Sequence, residues 1–101
     1  MRKEILKELI ETNEDILLLD IREPEELLIT DTITGATNVP MGKVFTEAMR
    51  GNLPKDRKIV VFCGTGGRAA IVEKELLERG FDMSCLEGGL EAYTVNKSVT
   101  S

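Results

Sequence analysis

Apolar residues along the chain follow two alternating patterns. ILLLD (16–20) and KIVVFC (58–63) are continuous apolar runs of strand length, and the second, rich in β-branched residues and apolar on both faces, has the character of a buried parallel strand. ATNVP (36–40), closed by a proline, and MSCLEG (83–88) read as further short strands. Between them the spacing turns helical. Ile5, Leu6, Leu9 and Ile10 form one stripe, and Ala69, Val72 and Leu76 form another within GRAAIVEKELLERG (67–80), where Gly80 is placed to cap the helix. GKVFTEAMRGN (42–52) is a helix with a weaker stripe, ending at Gly51 and Asn52. REPEEL puts Pro24 in the first turn of a short helix, and GLEAY adds a last turn. Strands alternating with helices predict a mainly parallel sheet covered on both faces, in one domain over 1–94 without repeats or linkers. The stretch 95–101 has no period and is expected to be a flexible tail.

Composition narrows the chemistry. At 101 residues the chain can bury a modest core unaided. Thirteen basic against 18 acidic residues give a net charge of −5, an unfavourable balance for a nucleic-acid partner. The opening MRKEILKELI interleaves charge with apolar residues, so neither a signal peptide nor a membrane span is expected, and the default compartment is the cytoplasm. Two cysteines, Cys63 and Cys85, are too few for a disulfide framework or zinc site. The absence of histidine removes every imidazole base and every Cys-His pair from the mechanisms open to this chain.

In parallel sheets ligands bind beyond the carboxyl ends of the strands, which puts CGTGGRAA (63–70) at the expected site. Two readings of that loop compete. Gly64, Gly66 and Ala69 satisfy the dinucleotide fingerprint, with Glu87 at a suitable distance for a ribose contact, but the unit comes late in a short chain with little sequence left to cover a dinucleotide. The other reading makes Cys63 the first residue of an anion-binding nest. Glycines allow successive N–H groups to converge, the helix that follows adds its positive end, and Arg68 brings a charge facing the same centre. A reachable thiolate at an exposed loop position follows from that arrangement, and both Gly66 and Gly67 are expected to be intolerant of a β-branched side chain. Cys85 reads as a small buried hydrophobe, and Gly88 and Gly89 as a tight turn with positive φ.

LLLDIREPEEL (17–27), ITGATNVP (33–40), LPKDRKIVVFCGTGGRAA (53–70) and LEGGLEAY (86–93), in this order, resemble the rhodanese family over about three quarters of the chain. The resemblance implies a three-layer α/β/α sandwich around a parallel sheet of four to five strands, with Cys63 carrying sulfur as a persulfide in a loop of Gly64, Thr65, Gly66, Gly67 and Arg68. It also implies that Asp20 and Arg22 end a strand near the site and brace the loop or contact the donor. Where the family has Gly-His-Ile-Pro this chain has DTIT (31–34), and Tyr93 replaces the usual tryptophan. The family's short first strand is not visible, because Met1 runs straight into a helical segment.

Loop length separates this family from its phosphatase and arsenate-reductase relatives, which use Cys-x5-Arg. Cys63 and Arg68 enclose four residues, which favours sulfur over phosphate. The resemblance therefore implies transfer of a sulfane sulfur from a small donor such as thiosulfate to a thiol or cyanide, with a sulfur-carrier or thioredoxin-like protein as a further acceptor, by a monomer needing no metal or organic cofactor. A non-catalytic module that binds a partner or senses redox state through Cys63 is the alternative.

Overall fold

The computed structural model describes residues 1–94, so the tail expected over 95–101 lies outside the described residues. Four parallel strands, β1 (Ile16–Asp20), β2 (Thr37–Asn38), β3 (Lys58–Phe62) and β4 (Met83–Cys85), lie in the order β2-β1-β3-β4. β1 and β3 pair along their whole length, from Ile16 against Lys58 to Asp20 against Phe62. As the two inner strands they need apolar side chains on both faces, which is why they lack the polar alternation of a half-exposed strand.

Alternation along these strands sorts the core into two layers. Leu19, Ile59, Val61 and Cys63 point to the side covered by α2 (Met41–Met49) and α3 (Gly67–Glu78), where Val44, Ala69, Val72 and Leu76 are fully buried. Leu18, Val60 and Phe62 point to the other side, against Leu6 of α1 (Lys3–Glu11) and Leu90 of α4 (Gly89–Thr94). This is the α/β/α sandwich expected from the sequence. No helix among the described residues is long and apolar enough to cross a membrane.

The four strands fall within the expected four to five, and one expectation is corrected. Of the proposed stripe on α1 only Leu6 is buried, whereas Ile5 and Ile10 are 43% and 39% exposed, because α1 meets the sheet along a narrow line near its start. The doubtful fifth strand is reduced to a single residue. Met1 donates its amino group to the Cys85 carbonyl at 2.7 Å and accepts the Glu87 N–H at 2.8 Å, the bonding of a parallel strand beside β4, before the chain turns into α1.

Pro24–Leu28 forms a 3-10 helix between β1 and β2. Glu26 accepts the N–H of Glu23 and closes a capping box, and Pro24 supplies a fixed φ at its start. This short element sits over the carboxyl end of the sheet.

Candidate functional site

β3 delivers Cys63 to the carboxyl end of the sheet. The residue continues the inward register of Ile59 and Val61, and it is therefore buried, 1% exposed, rather than in the exposed position expected of a loop residue. Its Sγ nevertheless lies under the loop. The N–H of Gly66 reaches it at 3.1 Å and that of Ala69 at 3.4 Å. Of the backbone donors expected of residues 64–68, the turn into α3 brings that of Gly66 to the sulfur and adds that of Ala69, and the Arg68 guanidinium lies close enough to interact with the thiol as well. The N–H groups of Gly67 and Arg68 at the start of α3 take no acceptor among the described residues.

The loop's shape has identifiable causes. Gly66 has φ 105°, and a Cβ there would stand 3.3 Å from the Gly88 nitrogen, so glycine is required on both counts. Gly67 differs: its φ is not positive and no atom comes within 4 Å of its Cβ position, so an alanine methyl fits there. Gly64 lies beneath the Arg68 guanidinium, 3.6 Å from Nη2 to the Cβ position.

Gly88 and Gly89 adopt positive φ, 75° and 64°, as the turn reading requires. Gly89 has a second reason to be glycine. It packs against the carbonyls of Cys63 and Gly64, and the next two N–H groups, of Leu90 and Glu91, donate to those same oxygens at 2.7 and 2.9 Å. The start of α4 thus ties both carbonyls down and fixes the path of the loop that carries the Gly66 N–H to the sulfur.

Asp20 and Arg22 are both buried and bonded to each other. Arg22 Nε donates to Oδ1 and Oδ2 at 3.0 and 3.2 Å, Nη2 to Oδ2 at 2.8 Å, and its backbone N–H to Oδ1 at 3.1 Å. Thr32, standing where the family's histidine would be, donates its hydroxyl to Asp20 Oδ2 at 2.7 Å, so the DTIT departure keeps a donor on this carboxylate. Burial alone would push the Asp20 carboxyl up. The hydrogen bonds from Arg22 and Thr32 outweigh it and hold the group below its ordinary value. Arg22 Nη1 goes on to the Glu26 carbonyl at 3.3 Å, so the pair anchors the 3-10 helix rather than touching Cys63.

Arg68 crosses the mouth of the loop to Glu26, donating Nη1 to Oε2 at 2.7 Å and Nη2 to Oε1 at 2.8 Å. The Arg68 hydrogen bond holds the Glu26 carboxyl at about 2, far below the usual carboxylate range. Sequence reasoning missed Glu26, whose one local signal is its place three residues after Glu23 in REPEEL, the spacing of a capping box. Glu73 was missed as well. It accepts the Cys85 N–H at 3.0 Å and lies 3.5 Å from Cys85 Sγ. Burial pushes the Cys85 thiol up, and the neighbouring carboxylate adds to it. Glu87, the ribose ligand of the dinucleotide reading, is instead 3.5 Å from the Met1 amino group at the sheet edge.

Beside the loop lies an open cavity of about 320 Å³. Its lining combines Gly64 and Thr65 of the loop with Arg22, with Glu26 of the 3-10 helix and Ile29 and Thr30 just after it, and with Leu90, Glu91 and Thr94 of α4. Cys63 stands one residue behind this lining. Among the described residues no cluster of acidic or sulfur side chains could hold a metal ion. What the arrangement can do chemically is hold a sulfur anion at the end of a buried strand by backbone donors, next to a cavity of small-molecule size.

Comparison with known proteins agrees with this geometry. A family model described as the rhodanese-like domain matches residues 2–96. YtwF of Bacillus subtilis (strain 168), whose name marks it as a candidate sulfurtransferase, is 40% identical over 88 residues, covering 87% of this chain and 82% of that protein. A protein of Allochromatium vinosum named sulfurtransferase is 32% identical over 91 residues, covering 89% and 82% of the two chains. Among solved structures, a rhodanese-related protein from Thermoplasma volcanium shares the fold with a TM-score of 0.79 at 28% identity, over 92% of this chain and 87% of that one.

Proposed function

Because the chain belongs to the rhodanese-like domain family, we propose that it is a sulfurtransferase in which Cys63 is the catalytic residue. The observation that carries this reading is the pair of N–H groups on Cys63 Sγ, from Gly66 and Ala69, in a chain with no histidine to do the same work. These donors place backbone positive charge where a sulfur anion stands during transfer, with no imidazole involved.

With thiosulfate as donor, the Cys63 thiolate attacks the outer sulfur. The new bond joins the two sulfur atoms, the S–S bond of the donor breaks, and sulfite leaves with the bonding pair. Negative charge then rests on the outer atom of a Cys63 persulfide. The unpaired N–H groups at the start of α3 stabilise that atom as an oxyanion hole stabilises oxygen. An acceptor completes the cycle: cyanide or a thiolate takes the outer sulfur and the Cys63 thiolate is regenerated. A sulfur-carrier or thioredoxin-like protein can present that thiolate, and the cytoplasm keeps both thiols reduced.

The burial of Cys63 favours a second reading, a binding module whose cysteine never turns over. Intact mass after incubation with thiosulfate separates the two. The expected result is a gain of one sulfur atom that a reductant or cyanide reverses, absent in Cys63→Ser and retained in Cys85→Ser. A wild-type mass that never changes with any sulfane donor would overturn the enzymatic reading.

A further inference from the structure

The cations near the loop are already occupied. Arg68 gives both outer nitrogens to Glu26, and Arg22 is committed to Asp20. Glu26 does not depend on Arg68 for its position, because Oε2 also accepts the Glu23 N–H at 2.8 Å from within its own 3-10 helix. The carboxylate is built in beforehand, and it meets Arg68 in the bidentate geometry that suits guanidinium best.

The cavity has the same bias. Its charged lining consists of Arg22, neutralised from behind by Asp20, together with the carboxylates of Glu26 and Glu91. Beside Glu26 the uncharged lining combines Thr30 and Thr94 with apolar Ile29, 87% exposed, and Leu90, and Leu28, 88% exposed, adjoins Ile29 in sequence. A small inorganic dianion entering here faces two carboxylates and has no free guanidinium to bind. A persulfide carried on an apolar group brings less charge and covers Ile29 and Leu28.

From this juxtaposition we infer that Glu26 sets donor specificity: by holding Arg68 it turns the site away from small inorganic dianions and toward sulfur borne as a persulfide on an apolar organic group. The inference rests on the sulfurtransferase reading. For such a donor, R–S–SH, the Cys63 thiolate attacks the terminal sulfur, the donor S–S bond breaks, R–S⁻ leaves with the bonding pair, and Cys63–S–SH remains. No further reactant is needed. Glu26 is a specificity-determining, positioning residue in this scheme: it holds Arg68 and lines the cavity, and makes no contact with the reacting sulfur atoms.

The test separates binding from turnover. In Cys63→Ser, which cannot react, thiosulfate binding is followed by amide chemical shifts. Adding Glu26→Gln should tighten it by roughly three- to fivefold, the upper scale of one partly exposed charge interaction, and adding Arg68→Gln should abolish the gain. Glu26→Gln can keep the bond from the Glu23 N–H, so the fold is expected to survive. Glu26→Asp, too short to keep both guanidinium contacts, should shift binding in the same direction. With Cys63 intact, Glu26→Gln should lower the KM for thiosulfate relative to that for benzyl persulfide, so that the ratio of the two kcat/KM values moves toward thiosulfate. Unaltered thiosulfate binding in both folded Glu26 variants overturns the inference, even if Cys63 accepts sulfur. A binding gain in a protein whose Cys63 takes sulfur from neither donor overturns the sulfurtransferase reading instead.

Discussion

Gly89 meets Cys63 so closely that a Cβ on residue 89 would stand 2.7 Å from the Cys63 carbonyl oxygen. The same position would bring it within 2.7 Å of the Gly64 carbonyl and the Gly66 nitrogen. The last motif of the chain and the cysteine loop are therefore one structural unit, joined through backbone alone. A residue far from the chemistry in sequence fixes which way the peptide groups around the sulfur point.

Gly89→Ala should consequently be among the most damaging small substitutions in the protein. A non-glycine residue at positive φ costs roughly 1–3 kcal/mol, and the three close contacts add to that. The expected outcome is a lower midpoint of urea unfolding together with a loss of sulfur loading at Cys63. Gly67→Ala is the control, since its Cβ would meet nothing within 4 Å, and its stability should stay within about 0.5 kcal/mol of wild type. Equal midpoints for the two variants would contradict the packing described for α4.

The buried pair of Asp20 and Arg22 makes an asymmetric prediction. Arg22→Met leaves a fully buried carboxylate with only Thr32 and the Arg22-position N–H as donors, and should destabilise the fold by about 3–5 kcal/mol. Asp20→Asn keeps a hydrogen-bonding group for Arg22 and should cost less. Chemical denaturation of both variants checks the order. The reverse ranking would mean that the carboxylate, not the guanidinium, is the more dispensable partner.

Acid should act on the same two carboxylates. Glu26 is held at about 2 against an ordinary value of 4.5, and Asp20 is held below its own ordinary value of 3.8. A depressed value in the folded state means that the unfolded chain binds protons first as pH falls. The contribution of these groups is therefore complete above about 4.5, declines below it, and is lost as pH passes the folded-state values. With no histidine in the chain, no imidazole adds a step between pH 5 and 8. Urea midpoints measured from pH 8 downward should be nearly flat to about 5 and then fall, and an early decline would point to a different titrating group.

Much of this architecture was legible because its signals are local. The β1 and β3 runs are bounded by polar residues and turns, and Gly66, Gly80, Gly88 and Gly89 stand where the backbone needs positive φ. What was not legible depends on distance in sequence. Nothing within REPEEL reveals that Glu26 will meet a guanidinium 42 residues later, nor within EKELLE that Glu73 will turn back to the N–H of Cys85. The exposure of Cys63 was misjudged for a related reason: loop membership says little about burial when the first loop residue keeps the strand's inward register. Ile5 and Ile10 show the opposite error, a helical period that exceeds the width of the surface α1 rests on.

The outer border of β4 bears on how these molecules meet one another. An unfilled strand border is a template on which another chain can add its own strand, and so the starting point for aggregation. Here the Cys85 N–H is taken by Glu73, its carbonyl by the Met1 amino group, and the Glu87 N–H by the Met1 carbonyl. The opposite border is β2, only two residues long. A neighbouring molecule finds no continuous row of free peptide groups beside β4 and little length beside β2, which leaves the cavity and the apolar corner at Leu28 and Ile29 as the more accessible place for contact.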